Sequence, residues 1–169
     1  MGSGKSTIGP IFANTIGFRF ADLDQVIERK EGKRIGDIFA VEGEARFRAI
    51  ERETLREQLA SAGTVVSLGG GTVTNDETLQ LVKKSGLLIY LRSDVEHIYQ
   101  RLRTKSDRPM LRNDRGELLD GADLMAKITA LLDARTPFYD QADIVVTTDD
   151  KKIGHTIDEL VKKTAPYID

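Results

Sequence analysis

Apolar residues along the chain follow two alternating patterns. TVVSL at 64–68, LLIYL at 87–91 and DIVVTT at 143–148 are short, nearly unbroken apolar runs, the signature of strands buried on both faces. FRFADLD at 18–24 reads as a further short strand with acidic residues at its far end. Between these runs the spacing is helical. Residues 5–15, 25–30, 35–41, 44–61, 123–135 and 153–163 read as helices, and in 44–61 the residues Phe47, Ile50, Leu55 and Leu59 make the apolar side. Asn75 caps another helix that runs to Ser85. Ser93-Asp94-Val95-Glu96 has the form of a capping box and opens one more. Gly17 suits the left-handed position past the first helix, Gly32, Gly63 and Gly86 punctuate later ones, and Pro137 limits the helix that ends at Arg135. The stretch 103–121 is polar and broken by Pro109, Gly116 and Gly121, and reads as a mobile loop. Strands alternating with helices predict an α/β fold, a parallel sheet sandwiched between helical layers, in one domain over 1–169.

Composition narrows the partners. A net charge of -2 gives no electrostatic case for nucleic acid. No cysteine is present, which excludes disulfides, thiolate metal sites and a thiol nucleophile, and His97 and His155 lie too far apart in sequence to suggest a zinc pair. No apolar run approaches the roughly 18 residues of a membrane span, and no charged start followed by an apolar stretch suggests a signal peptide. The expectation is a cytoplasmic monomer that binds neither membrane nor nucleic acid.

The chemistry concentrates at a few points. MGSGKSTIG at the start places Gly2, Ser3 and Gly4 ahead of a helix, so backbone N–H groups can turn inward around phosphate oxygens. Lys5 would reach the β- and γ-phosphates, the Ser6 hydroxyl would ligate Mg²⁺, and Thr7 would sit beside it. The bland alternative is a glycine-rich tail with a chance Gly-Lys-Ser. Asp22 and Asp24, two apart in an extended chain, point to one side and suit a magnesium shell plus a general base, or are solvated acids at a strand exit. Gly69-Gly70-Gly71 after a buried strand lets a small ligand approach the backbone closely. Arg48 and Glu51 at i and i+3, Arg135 at a helix end and Arg108 in the polar loop each have an ordinary surface reading, and gain meaning only if they converge.

Taken in order, MGSGKSTIG, DLDQVIE at 22–28, IFAVEGEARFR at 38–48, SLGGGTV at 67–73, DRPML at 107–111 and ARTPFY at 134–139 resemble the shikimate kinase family across nearly the whole chain. The resemblance implies a five-stranded parallel sheet of order 2-3-1-4-5 and transfer of the ATP γ-phosphoryl to the 3-hydroxyl of shikimate, in aromatic amino-acid biosynthesis. It implies that Gly2, Ser3, Gly4, Lys5, Ser6 and Thr7 hold nucleotide phosphates, with Ser6 and Asp22 at Mg²⁺. Asp24 would hold the substrate hydroxyls and act as base. Arg48 and Arg135 would clamp the substrate carboxylate, Glu51 would brace Arg48, and Gly70 and Gly71 would pack on the ring. Arg108 would swing in with a lid over about 104–121 to neutralise transferring charge, Arg101 would lie near adenine, and the helices over about 25–61 would bind substrate. Another small-molecule P-loop kinase, or a non-catalytic nucleotide-binding module, remains a rival.

The full loop pattern G-x-x-x-x-G-K-S/T sets its first glycine ahead of Met1, and a strand normally precedes it. The expectation is that Met1 is internal to a G-x-M-G-S-G-K-S loop and that an apolar central strand lies upstream. Otherwise another segment or a second chain fills that place.

Overall fold

The computed structural model describes residues 2–103, 119 and 121–168. The polar loop, its Arg108 and most of the expected lid lie outside the described residues.

The chain runs α1 (Lys5–Thr15), β1 (Arg19–Asp22), α2 (Leu23–Glu31), α3 (Ile35–Leu59), β2 (Thr64–Ser67), α4 (Asp76–Ser85), β3 (Ile89–Arg92), α5 (Val95–Leu102), α6 (Gly121–Tyr139), β4 (Ile144–Thr147) and α7 (Ile153–Thr164), and ends in a 3₁₀ turn, Ala165–Tyr167. Local chemistry accounts for most of the boundaries. Gly17 takes φ 72 past α1, and Phe18 N–H closes back onto Ala13 O at 2.8 Å. Asn75 Oδ1 accepts the Thr78 N–H at 2.9 Å and starts α4, as its position predicts. The two expected helices over 35–41 and 44–61 form one helical stretch bent at Gly43, whose φ of 81 no other residue type adopts readily.

Three expectations need correction. The first strand stops at Asp22, because that carboxylate turns back to accept the Gln25 N–H at 3.3 Å and starts α2 at Leu23. Asp94, not Ser93, caps α5: its Oδ1 takes the His97 N–H at 2.8 Å, while the Ser93 hydroxyl reaches across to Asp149. Pro137 does not end α6, which continues to Tyr139 with the proline inside it. Proline costs a helix one hydrogen bond, and here the last turn is also tied down from outside, as described below.

The strands form two parallel pairs. β1 lies on β2 with Arg19 opposite Thr64 and Asp22 opposite Ser67; β3 lies on β4 with Ile89 opposite Ile144 and Arg92 opposite Thr147. Among the described residues no ladder joins β2 to β3. Between them lies an apolar cleft of about 610 Å³ lined by Phe12, Val65, Leu87, Ile89, Leu91 and Leu160. The pairs β1-β2 and β3-β4 are what the order 2-3-1-4-5 leaves when its first strand is taken out, and the cleft lies where that strand would run.

Helices cover both pairs. Leu23, Ile27, Ile38, Phe47, Ile50, Leu55 and Leu79 form one buried cluster, while Ile8 and Phe12 of α1 meet Ile144, Val146, Ile157 and Leu160 in another. At Gly9, α1 passes so close to β1 that a Cβ would come 2.5 Å from Cε2 of Phe20. Among the described residues no helix is long and apolar enough to cross a membrane.

Candidate active site

The carboxyl ends of the strands meet the start of α1. Gly4 takes φ 94 and no side chain caps α1, whose first turn carries no acidic residue. The amide edge of that helix is therefore left to an external anion. Gly2 also has positive φ, 68, and a Cβ there would press on Ile98 at 3.1 Å. Ser3 is buried, and Ser6 and Thr7 are exposed. The loop is fastened from the other strand pair. Arg101 of α5 donates through Nη1 to the Gly2 carbonyl at 3.2 Å, to Ser93 Oγ at 3.1 Å and to Thr148 Oγ1 at 3.2 Å, and through Nη2 to the Thr148 carbonyl at 3.1 Å. Thr148 Oγ1 in turn reaches Ser3 O at 3.3 Å. Arg101, expected beside adenine, thus buckles the phosphate loop to the ends of β3 and β4.

Next to this buckle sits a carboxylate–imidazole network. His97 Nδ1 lies 2.8 Å from Asp94 Oδ1 and its Nε2 lies 3.1 Å from Asp150 Oδ1, with Asp149 close by. These hydrogen bonds, the Asp94 bond first, raise the His97 pKa above its ordinary value. Asp94, His97 and Asp149 bring ligand atoms within 4.8 Å of one another. Their oxygens and ring nitrogens are already shared among Ser93, the α5 amides, Asp150 and Arg101, so the arrangement reads as a cap network rather than a metal site.

The second half of the site stands on α3 and on the turn after β2. Arg48 Nη1 meets Glu51 Oε2 at 2.8 Å, and its Nε and Nη2 meet Glu44 Oε1 at 3.3 and 3.2 Å. Partial burial opposes the Arg48 charge, but the bonds and charge of Glu51 and Glu44 more than offset it, so its pKa is raised. Glu51 is buried, and its other oxygen accepts from Thr72 Oγ1 at 2.7 Å. That satisfies a carboxylate which would be costly in the core alone. The glycine turn threads between these groups. A Cβ on Gly69 would come 3.1 Å from Thr72 Oγ1 and 3.3 Å from Asp24 Oδ1, and one on Gly71 would come 3.1 Å from Arg48 Nη2. The Gly70 carbonyl accepts from Tyr139 Oη at 2.5 Å. Arg135 lies one turn before Tyr139 on α6 and close to its hydroxyl. Gly69 and Gly70 share the mouth of the cleft with Ser3 and Lys5.

The expected residues therefore fall into two neighbouring groups. Asp24, Arg48, Gly70, Gly71 and, through Tyr139, Arg135 border the glycine turn. Gly2, Ser3, Gly4, Lys5, Ser6 and Thr7 gather at the start of α1, with Arg101 bound to the Gly2 carbonyl. Asp22 and Asp24 do not project as a pair from one strand, since a cap and a helical turn separate their roles. Thr72 and Tyr139 were not singled out from sequence. Thr72 and Tyr139 lie inside the motifs at 67–73 and 134–139, but their hydroxyls find partners 21 and 69 residues away, and no local pattern marks that. For Mg²⁺, a serine hydroxyl at the start of α1 and the Asp22 carboxylate are hard oxygen donors of the right kind.

The family model described as shikimate kinase matches residues 1–165. A shikimate kinase of Chlorobium chlorochromatii is 48% identical over 99% of this chain and 88% of its own length. A 1.7 Å crystal structure of shikimate kinase from Bacteroides thetaiotaomicron superposes with a TM-score of 0.89 at 31% identity, covering 98% of this chain and 94% of that one. The Acinetobacter baumannii enzyme in complex with shikimate gives a TM-score of 0.86 at 30% identity, covering 100% and 91%. With these matches along nearly its whole length, the chain belongs to the shikimate kinase family.

Proposed function

We propose that the protein transfers the γ-phosphoryl group of ATP to the 3-hydroxyl of shikimate. The observation that carries this reading is the meeting of two sites at one mouth: an uncapped, acid-free helix start bearing Lys5, and a glycine turn bordered by Arg48 and, one helical turn from Tyr139, Arg135. The first suits a polyphosphate. The second suits a compact acceptor with a carboxylate, which arginine forks bind bidentately.

In this reading the amides of Gly2 to Thr7 and the Lys5 ammonium hold the β- and γ-phosphates. Ser6 and Asp22 would hold Mg²⁺, which, when bound, neutralises phosphate charge. Arg48, braced by Glu51, and Arg135 hold the shikimate carboxylate, so the ring lies along Gly70 and Gly71. The 3-hydroxyl oxygen then forms its bond to the γ-phosphorus as the bond to the ADP oxygen breaks, and the hydroxyl proton passes to Asp24. Positioning and charge neutralisation supply most of the rate in such transfers. Arg108 lies outside the described residues; its role in neutralising transferring charge follows from the family pattern at 107–111. Action as a cytoplasmic monomer belongs to the same proposal.

Shikimate-dependent release of ADP, compared with gluconate and nucleoside monophosphates, is the direct test. Turnover with gluconate or a nucleotide in place of shikimate would move the chain to another small-molecule kinase. ATP binding with no turnover on any acceptor would make it a binding module. Asp24→Asn keeps shape and removes the base, so kcat should fall steeply while ATP affinity holds. If kcat holds and only the shikimate KM rises, Asp24 positions the acceptor and is no base.

A further inference from the structure

Tyr139 joins two elements that the reaction requires to be in register. Its hydroxyl donates to the Gly70 carbonyl at 2.5 Å, which links α6 to the glycine turn. Its ring packs against Tyr90 of β3 at 4.9 Å between centroids, which fixes where the hydroxyl points. Burial, only partly countered by nearby Arg135, keeps the phenol protonated and hence a donor at neutral pH. Arg135 sits at i-4 on the same helix, so both side chains project from one face. Within the turn the Thr72 N–H reaches Gly69 O at 3.1 Å and Thr74 reaches Gly71 O, while the Gly70 carbonyl accepts from Tyr139.

We propose that Tyr139 is a positioning residue that locks α6 to the glycine turn and thereby sets the distance between the Arg135 guanidinium and the backbone at Gly70, on which shikimate would rest. The inference rests on the reading of Arg135 and Gly70 as substrate contacts. With the bond in place, the carboxylate clamp and the floor of the acceptor site move as one body. Without it, α6 keeps its packing but the arginine loses its fixed reach.

Tyr139→Phe keeps the ring and removes the bond. The expected result is a shikimate KM raised about five- to tenfold, the scale of one hydrogen bond, with the ATP KM unchanged and the melting temperature lowered by no more than about 2–4 °C. Two further readings separate positioning from general packing. With a shikimate analogue lacking the carboxylate, Tyr139→Phe and the parent should bind alike. In a cycle with Arg135→Lys, the second substitution should add little to the first. An unchanged shikimate KM overturns the proposal, as do equal losses with the carboxylate-free analogue, additive effects with Arg135→Lys, or a fall in melting temperature that raises both KM values together. A parent chain that releases no ADP with shikimate defeats the underlying reading instead, and is distinguished by that parent measurement alone.

Discussion

The glycine turn and the cleft between β2 and β3 lie next to each other and are held in opposite ways. Around the turn, Arg48, Glu51, Thr72 and Tyr139 interlock through polar bonds of 2.5 to 2.8 Å. A few ångströms deeper, the facing sides of β2 and β3 have apolar side chains between them and no shared ladder. The difference teaches that the site residues owe their geometry to helix starts and side-chain bonds at the rim, and not to continuity of the sheet beneath. A two-stranded pair is weak by itself. The rim is held by its own side-chain bonds, while beneath it α1 and α7 pack on the strands through Ile8, Phe12, Ile157 and Leu160.

The largest effect should come from filling the cleft. A form with an apolar extended segment joined ahead of Gly2, able to lie between β2 and β3, gains backbone bonds worth about 1 kcal/mol each. Four or five of these should lift the melting temperature by about 10 °C. Equal melting and equal turnover in the two forms would mean that the rim and helices already carry the fold. Next in size, Lys5→Ala should lower kcat about 10²–10³-fold, the cost of one lost electrostatic contact of about 2.7–4 kcal/mol, and leave melting unchanged. Activity within a few-fold of the parent would remove Lys5 from the phosphate site. Thr54 of α3 is fully buried, and its hydroxyl has no partner among the described residues. Thr54→Val should therefore stabilise by about 1 kcal/mol without moving the shikimate KM; a shifted KM would show that the rim depends on packing under Arg48 after all.

The smallest effect lies at the nucleotide end. His97 has a raised pKa in the folded chain, first through its bond to Asp94. Its support for the network is full below the ordinary value of about 6.5 and is lost as pH rises through the folded value. The melting temperature of the parent should fall relative to His97→Gln across that window, and NMR titration of the imidazole should give a value above 6.5. A flat difference between the two proteins would show that the network holds without the charge.

Much of this was legible because it is local. The Asn75 cap, the Gly17 stop and the bounds of α1 depend on groups three to five residues apart, which a sequence displays directly. Asp22 shows the limit. Whether a strand continues through it or a helix begins there turns on one cap bond of 3.3 Å, and both acids look alike in an extended reading. Pro137 misled for a complementary reason: a helix end held by Tyr139 on Gly70 is set by a partner 69 residues away. The family was legible through the order of its motifs, whereas no single arginine in the sequence shows which glycine it will face.

The close passage of α1 over β1 at Gly9 has a consequence for how substitutions would be tolerated. Gly9 lies four residues past the loop lysine of GKSTIG, and a loss of function there invites the conclusion that it touches phosphate. Its constraint is the ring of Phe20, and both residues border the cleft. An alanine at position 9 must push that ring aside. Where the cleft is open the ring has somewhere to go; where a strand fills it, the ring is pinned. In a library scored for survival, position 9 would thus behave as a gauge of how full the molecule's centre is, forgiving in one form of the protein and intolerant in the other, while Lys5 reads the same in both.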